Sequence, residues 1–137
     1  MANSFYLKGL EHFLNGELSW RDHDWRADLV DTADYTVNLS THEFRSDIPS
    51  GAIVATTANF SSKTSTLGVA DAADTLFPTA TGDNSEAMVI YRWTGTNSTS
   101  ALVLYITTAA GLPIAPSGTN INITWPNTSD RIFRLGQ

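Results

Sequence analysis

The sequence predicts an all-β fold, a jelly-roll-like β-sandwich that carries a short N-terminal helix. Three observations predict it. From Trp25 onward apolar residues recur with a period of two, clusters of Gly, Pro, Asn and Ser interrupt them at short intervals, and alternating strand–helix units are absent. About eight short strands separated by turn residues belong to sandwiches or barrels.

The elements follow in chain order. Tyr6, Leu10, Phe13 and Leu14 fall at helical spacing within residues 5–14, with Asn3 or Ser4 available as a cap and Asn15-Gly16 as a stop. Residues 1–20 therefore read as an N-terminal helical segment and residues 21–137 as the sandwich domain. In residues 25–30, Trp25, Ala27 and Leu29 alternate with Arg26, Asp28 and Val30. In residues 35–39, Tyr35, Val37 and Leu39 alternate with Thr36 and Asn38. Both stretches read as strands with one wet face. A helical turn is expected at 41–45, ended by Pro49. Residues 52–58, 62–69 and 74–79 are weaker strands, punctuated by Gly68, Pro78 and Gly82. Residues 86–93 and 100–107 are nearly continuous apolar runs joined by a linker of turn composition, and they should pair as a hairpin. Ala87, Val89, Tyr91 and Trp93 share one face and Met88 and Ile90 the other, so this strand should be central and buried on both sides. After the Pro/Gly loop at 111–118, Ile121, Ile123 and Trp125 alternate with polar neighbours, and a last strand spans 131–135.

A chain of 137 residues is the size of one domain. Such a domain hides roughly 65–70% of its unfolded surface, so it needs no staples. Cysteine is absent, which removes disulfides, thiol nucleophiles and cysteine zinc sites. The net charge of −6 argues against nucleic acid and against anionic membranes as partners, because both attract basic surfaces. The opening Met-Ala-Asn-Ser-Phe-Tyr-Leu-Lys lacks a basic region followed by an apolar run, and no apolar stretch approaches the ~18 residues of a membrane span. A soluble protein made in a cytoplasm is expected.

No residue pattern points to catalysis or to a cofactor. His12, His23 and His42 are never four apart, so they form no helical metal pair. Asp22, Asp24 and Asp28 cluster beside His23 and could offer oxygens to a hard cation. Their spacing lacks the glycine turn and bidentate glutamate of a calcium loop and reads as a solvated acidic turn. Asp71, Asp74, Asp83 and Glu86 flank strands as turn formers and gatekeepers. There is no G-x-S-x-G elbow and no Gly-rich phosphate loop. Among the tryptophans, Trp93 and Trp125 fall on apolar strand faces and should pack in the core. Trp20 and Trp25 bracket a charged stretch and suit a contact surface. With Tyr6, Leu10, Phe13 and Leu14 they are the expected interface residues.

Several stretches in order carry a resemblance: Ala27-Asp-Leu-Val-Asp-Thr-Ala-Asp-Tyr-Thr-Val-Asn-Leu39, Ser46-Asp-Ile-Pro-Ser-Gly-Ala-Ile-Val-Ala55, Gly68-Val-Ala-Asp-Ala-Ala-Asp74, Glu86-Ala-Met-Val-Ile-Tyr91, Gly111-Leu-Pro-Ile114 and Ile132-Phe-Arg-Leu135. Across nearly the whole chain this resembles a family of small structural proteins of tailed bacteriophages. The resemblance implies a cement or decoration protein on the outer surface of an icosahedral head, a homodimer or homotrimer whose partner is the major capsid protein. The helix is the candidate for self-association, and packing on its own sandwich is the alternative. A tail or baseplate subunit and a carbohydrate-binding or host-adsorption module are the competing readings.

Overall fold

The computed structural model describes residues 4–107, 112–125 and 132–134. In chain order they form β1 (Ser4–Phe5), α1 (Leu7–Leu14), β2 (Asp24–Val30), β3 (Ile53–Thr56), β4 (Val69–Ala70), β5 (Thr75–Phe77), β6 (Ala87–Trp93), β7 (Leu102–Ile106), β8 (Ile121–Ile123) and β9 (Phe133–Arg134). The described chain is mostly β, with one short α-helix and antiparallel sheets. A five-stranded sheet has the order β1-β7-β6-β2-β3, and β4–β9 and β5–β8 form two small ribbons.

The expected hairpin forms. β6 pairs antiparallel with β7 from Met88↔Ile106 to Tyr91↔Leu102, and its other edge pairs with all of β2 from Asp24↔Trp93 to Val30↔Ala87. β6 is therefore interior, and its first five residues are buried. Its period of two divides the core as the sequence predicts. Met88 and Ile90 join Trp25, Ala27 and Leu29 in one apolar cluster, while Ala87, Val89 and Tyr91 join Val30 and Leu102 in another on the opposite face.

Different material covers each face. The first is packed by Phe77 and Ile123 of the β5–β8 ribbon, Ala70 and Phe133 of the β4–β9 ribbon, and Phe13 of α1. The second is covered by residues 31–52, a strap that contributes Tyr35, Ile48 and Ala52, with Val37 and Leu39 partly buried. The strand expected at 35–39 is absent for this reason. Its alternation is real, since Tyr35, Val37 and Leu39 do turn to the core, but the segment packs over the sheet face instead of pairing in its plane. The turn expected at 41–45 moves along the chain, to 3₁₀ turns at Arg45–Asp47 and Ser50–Ala52. The strand expected at 62–69 is broken by left-handed residues Ser62 (φ 53°), Leu67 (φ 55°) and Gly68 (φ 79°), leaving only β4.

The helix starts two residues later than expected. Tyr6 is its N-cap and makes no side-chain cap; Ser4 lies in β1, and Asn3 is outside the described residues. The stop falls as expected, with the Asn15 amide bonded to the Glu11 carbonyl and Gly16 at φ 74°. Eight residues are too few to hold a helix in water without tertiary contacts. Here α1 lies on β7 through Gly9, the one buried residue of the helix. A Cβ at Gly9 would press on the Leu102 carbonyl oxygen and sit 2.9 Å from Val103 Cα, so only glycine permits this approach. The N-terminal segment thus packs on its own domain.

Candidate functional site

The densest polar chemistry lies under the strap. β2 alternation turns Asp28 into the second face, where it is fully buried. Arg45, at the start of the Arg45–Asp47 turn, reaches it with a fork: Nε donates to Oδ2 at 2.7 Å and Nη2 to Oδ1 at 3.1 Å. Thr56 Oγ1 donates to Oδ1 at 2.7 Å and the Tyr91 hydroxyl at 3.2 Å. Burial drives the Asp28 carboxyl up from its ordinary range, against the pull of Arg45, Thr56 and Tyr91. Four donors face its two oxygens and favour the charged form against the cost of burial. Burial is the largest single influence on Arg45 and opposes its charge, but the bond to Asp28 and the Asp28 charge, aided by Tyr91, together outweigh it and raise the guanidinium.

Arg45 also lies 5.0 Å from the Tyr91 ring centre and 5.4 Å from that of Trp93, and its Nη1 donates to Asn97 at 2.8 Å. Arg26, forked onto Asp24 at 2.9 and 3.1 Å, also lies 5.7 Å from the Trp93 ring centre. Half-buried Trp93 is thus already engaged by two guanidinium groups. The acidic turn expected at Asp22, Asp24 and Asp28 does not exist as one solvated unit: Asp22 is exposed, Asp24 pairs with Arg26, and Asp28 is buried because the strap covers the face expected to be wet.

Two further latches hold the strap. The Tyr6 and Tyr35 hydroxyls are 3.0 Å apart, and Tyr35 is 2.8 Å from His42 Nδ1. His12 on the helix sets Nδ1 2.8 Å from Glu17 and Nε2 2.9 Å from Glu43 of the strap. The bond from His12 holds the Glu17 carboxyl below its ordinary range. His23 Nδ1 accepts from the Ser19 amide, and burial lowers that imidazole. Glu86, expected as a gatekeeper, accepts from both the amide and hydroxyl of Thr32 at 3.0 Å.

All four tyrosines are held above their ordinary value of 10.0, in each case chiefly by burial, and Tyr35 is pushed up to about 12. A folded state that resists ionisation loses stability as pH rises, because the unfolded chain ionises first. For Tyr35 the window runs from 10.0 to about 12, and below it the contribution is fully present. Tyrosinate absorbance should therefore develop at higher pH than that of free tyrosine and coincide with loss of near-ultraviolet circular dichroism. A phenolate band developing near pH 10 in still-folded protein contradicts this packing.

Asp31, Asp34 and Asp83 bring carboxylate oxygens within 4.8 Å of one another at the end of the sheet where β2 stops. Hard divalent cations bind through oxygens of this kind, and Asp34 and Asp83 are exposed. Of these, only Asp83 was legible as a candidate.

At the opposite end of β2 a tongue, residues 61–73, folds back on itself. Thr64 and Asp71 exchange backbone bonds of 2.9 and 3.0 Å, the Ala73 amide donates to the Ser61 carbonyl, and Trp20 Nε1 donates to the Asp71 carbonyl. Lys63 Nζ is fixed by Asn59 Oδ1 at 3.0 Å and the Phe60 carbonyl at 3.1 Å, and burial lowers its pKa. A shallow cleft of about 320 Å³ is lined by Arg21, Lys63, Thr64, Ser65 and Thr66. Beyond it Leu67 is 94% exposed, the most exposed large apolar side chain among the described residues.

The six expected contact residues divide. Tyr6 and Trp25 are fully buried and Trp20 nearly so. Trp25 stacks on Phe13 at 5.9 Å and packs on Trp20 at 5.1 Å, so the contacts expected with a partner are made inside the molecule. Leu10 and Phe13 are partly buried against the same core. Leu14 is 88% exposed and shares an outward stripe with Leu7, two turns earlier. Sequence reasoning missed Arg45 and Leu67. The first had no local pattern; the second stood as a lone leucine before glycine in a Ser/Thr run, which marks an exposed turn. Neither the protein-family models nor the curated proteins contain a match to this chain.

Proposed function

We propose that this chain is a virion structural protein that cements or decorates the outer surface of a tailed-phage capsid, and that its layers form a jelly-roll-like β-sandwich. One observation carries the reading. The stretches that resemble phage structural proteins fall on the main sheet and on the layers that cover it: 27–39 spans β2 and the strap, 46–55 the strap and β3, 68–74 the β4 region, and 86–91 the central strand β6. The layering supports the sandwich, since two ribbons pack on one face of a five-stranded sheet.

The buried and half-buried polar groups support the role. Asp28, Arg45, Tyr6, Tyr35 and His12 join one segment of the chain to another, which suits a rigid block used in many copies. A protein that binds the assembled shell, and not its separated subunits, stabilises the shell by linkage. Many modest contacts then act together.

Purified protein added to expanded, DNA-free heads should sediment with them and raise their disruption temperature. At a free concentration 100 times Kd the stabilisation is about 2.7 kcal/mol per occupied site. Heads that bind no copies and disrupt at an unchanged temperature refute the assignment.

A further inference from the structure

We infer that the Asn15-Gly16 pair at the end of α1 is a site of spontaneous covalent modification, in which the Gly16 amide nitrogen attacks the Asn15 side-chain carbonyl and the residue becomes aspartate or isoaspartate through a cyclic imide. The inference is independent of the capsid reading above. The atoms balance with water as the only co-reactant. The Gly16 nitrogen loses its proton and bonds to Asn15 Cγ, the bond from Cγ to Nδ2 breaks, and ammonia leaves with that proton. Water then opens the imide at either carbonyl. No group is oxidised or reduced.

Sequence and structure together select this asparagine. It is the only one in the chain followed by glycine, whose amide is reached without a β-carbon in the way. Asn15 and Gly16 are both exposed, and no atom beyond the chain neighbours lies within 4 Å of where a Gly16 β-carbon would stand. The side-chain carbonyls of other asparagines are committed. Asn38 accepts from the Ser40 and Thr41 amides, Asn59 from the Trp25 amide, Asn97 from Arg45 and Asn120 from the Thr79 amide. Asn84 precedes the fully buried Ser85, whose amide donates to the Ile114 carbonyl at 2.8 Å, and Asn122 lies inside β8 ahead of buried Ile123.

The Gly16 amide is held by one bond, to the Phe13 carbonyl at 3.1 Å, in the last turn of an eight-residue helix. Helix ends open most readily, so the attack proceeds from the frayed turn and its rate follows that opening. The product adds one negative charge to a chain already at −6, and sets it at the helix C-terminus, where the macrodipole disfavours anions. It also removes a donor, since the Asn15 amide assists His12, the larger influence, in holding the Glu17 carboxyl low. Glu17 bonds His12 Nδ1 at 2.8 Å, and His12 Nε2 meets Glu43 of the strap at 2.9 Å. Two carboxylates then stand where an amide and a carboxylate did. The isoaspartyl product further lengthens the backbone by a methylene at the cap. The change is one-way, and it weakens the helix end and the latch that ties it to the strap.

The test ages wild-type protein in neutral buffer and follows it by tryptic digestion and mass spectrometry. Cleavage after Lys8 and Arg21 isolates residues 9–21, which contain no other asparagine. That peptide should gain the mass of an amide-to-acid exchange, elute as two products and accept methyl groups from an isoaspartyl methyltransferase. It should do so about tenfold or more faster than peptides holding the other asparagines. Asn15→Gln should gain nothing there, because its longer side chain closes the ring poorly. Asn15→Asp carries the product charge on a normal backbone, and should lower hydrogen-exchange protection in α1 severalfold while β6 keeps its wild-type values. If residues 9–21 gain no mass while the same sequence as a free peptide does so in the same buffer, the fold shields the pair and the inference is overturned. A gain no faster than that of the other asparagines overturns it as well. Aged protein and Asn15→Asp that both keep wild-type protection throughout α1 overturn the effect on the latch.

Discussion

Asp28→Ala is expected to lower the unfolding free energy by about 3–5 kcal/mol, the range for breaking a buried ion pair from one side. The substitution leaves the Arg45 guanidinium under the strap without its fork, and leaves the Thr56 and Tyr91 hydroxyls without their shared acceptor. An uncompensated buried charge costs more than the pair contributes. Among the described residues Arg45 is the only link of this kind between the strap and β2, and Asn97 holds just one of its nitrogens. Urea denaturation should show the loss as a lower midpoint with an unchanged slope, and melting should fall by about 10 °C or more for a chain of this size. The control is Asp28→Leu combined with Arg45→Met. Replacing both partners by apolar groups removes the charge and its desolvation together, so this pair should recover most of the stability. A double variant as unstable as Asp28→Ala shows that the strap is held by something other than the ion pair.

Trp25→Ala is expected to be comparably damaging, about 3–5 kcal/mol, because a large aromatic leaves a cavity the core cannot close. Trp25 is fully buried where three parts of the chain meet. Phe13 of the helix stacks on it with the planes 6° apart, Trp20 of the connecting segment leans on it at 47°, and its indole donates to the Ser19 carbonyl at 3.0 Å. Trp20 in turn packs edge-on to Phe133 of β9 at 5.2 Å. Removing Trp25 should therefore loosen the helix along with the sheet. Amides of α1 should lose hydrogen-exchange protection by a larger factor than those of β6. Equal loss in the two elements would mean that the helix is secured by Gly9 on β7 alone.

The strands that pair along their whole length were the legible ones. β2, β6 and β7 follow from period-two alternation, and the two-sided burial of β6 follows from its two apolar faces. What escaped was decided by distant partners. Tyr35, Val37 and Leu39 have the alternation of a strand, but nothing local says whether such a segment pairs in a sheet or lies on one. The face of β2 bearing Arg26 and Asp28 reads as wet until residues 31–52 are placed over it. Trp20 and Trp25 read as surface aromatics because their neighbours are charged, whereas Arg21 and Asp22 turn outward while the indoles turn in. The helix was found from spacing, but Gly9, the residue that sets its distance from the sheet, is invisible to a search for apolar side chains. Leu67 marks the limit in the other direction: its exposure was readable, its backbone conformation was not.

The sheet order has a consequence for biosynthesis. Ser4 and Phe5 pair with Tyr105 and Leu104, so β1 waits for β7, the last strand of the five-stranded sheet in chain order. Pairings this far apart in sequence close slowly. On a ribosome the N-terminal segment emerges with its aromatic residues uncovered, and the sheet closes only once β7 has cleared the exit tunnel. The arrival of β7 is thus the checkpoint after which the main sheet can close.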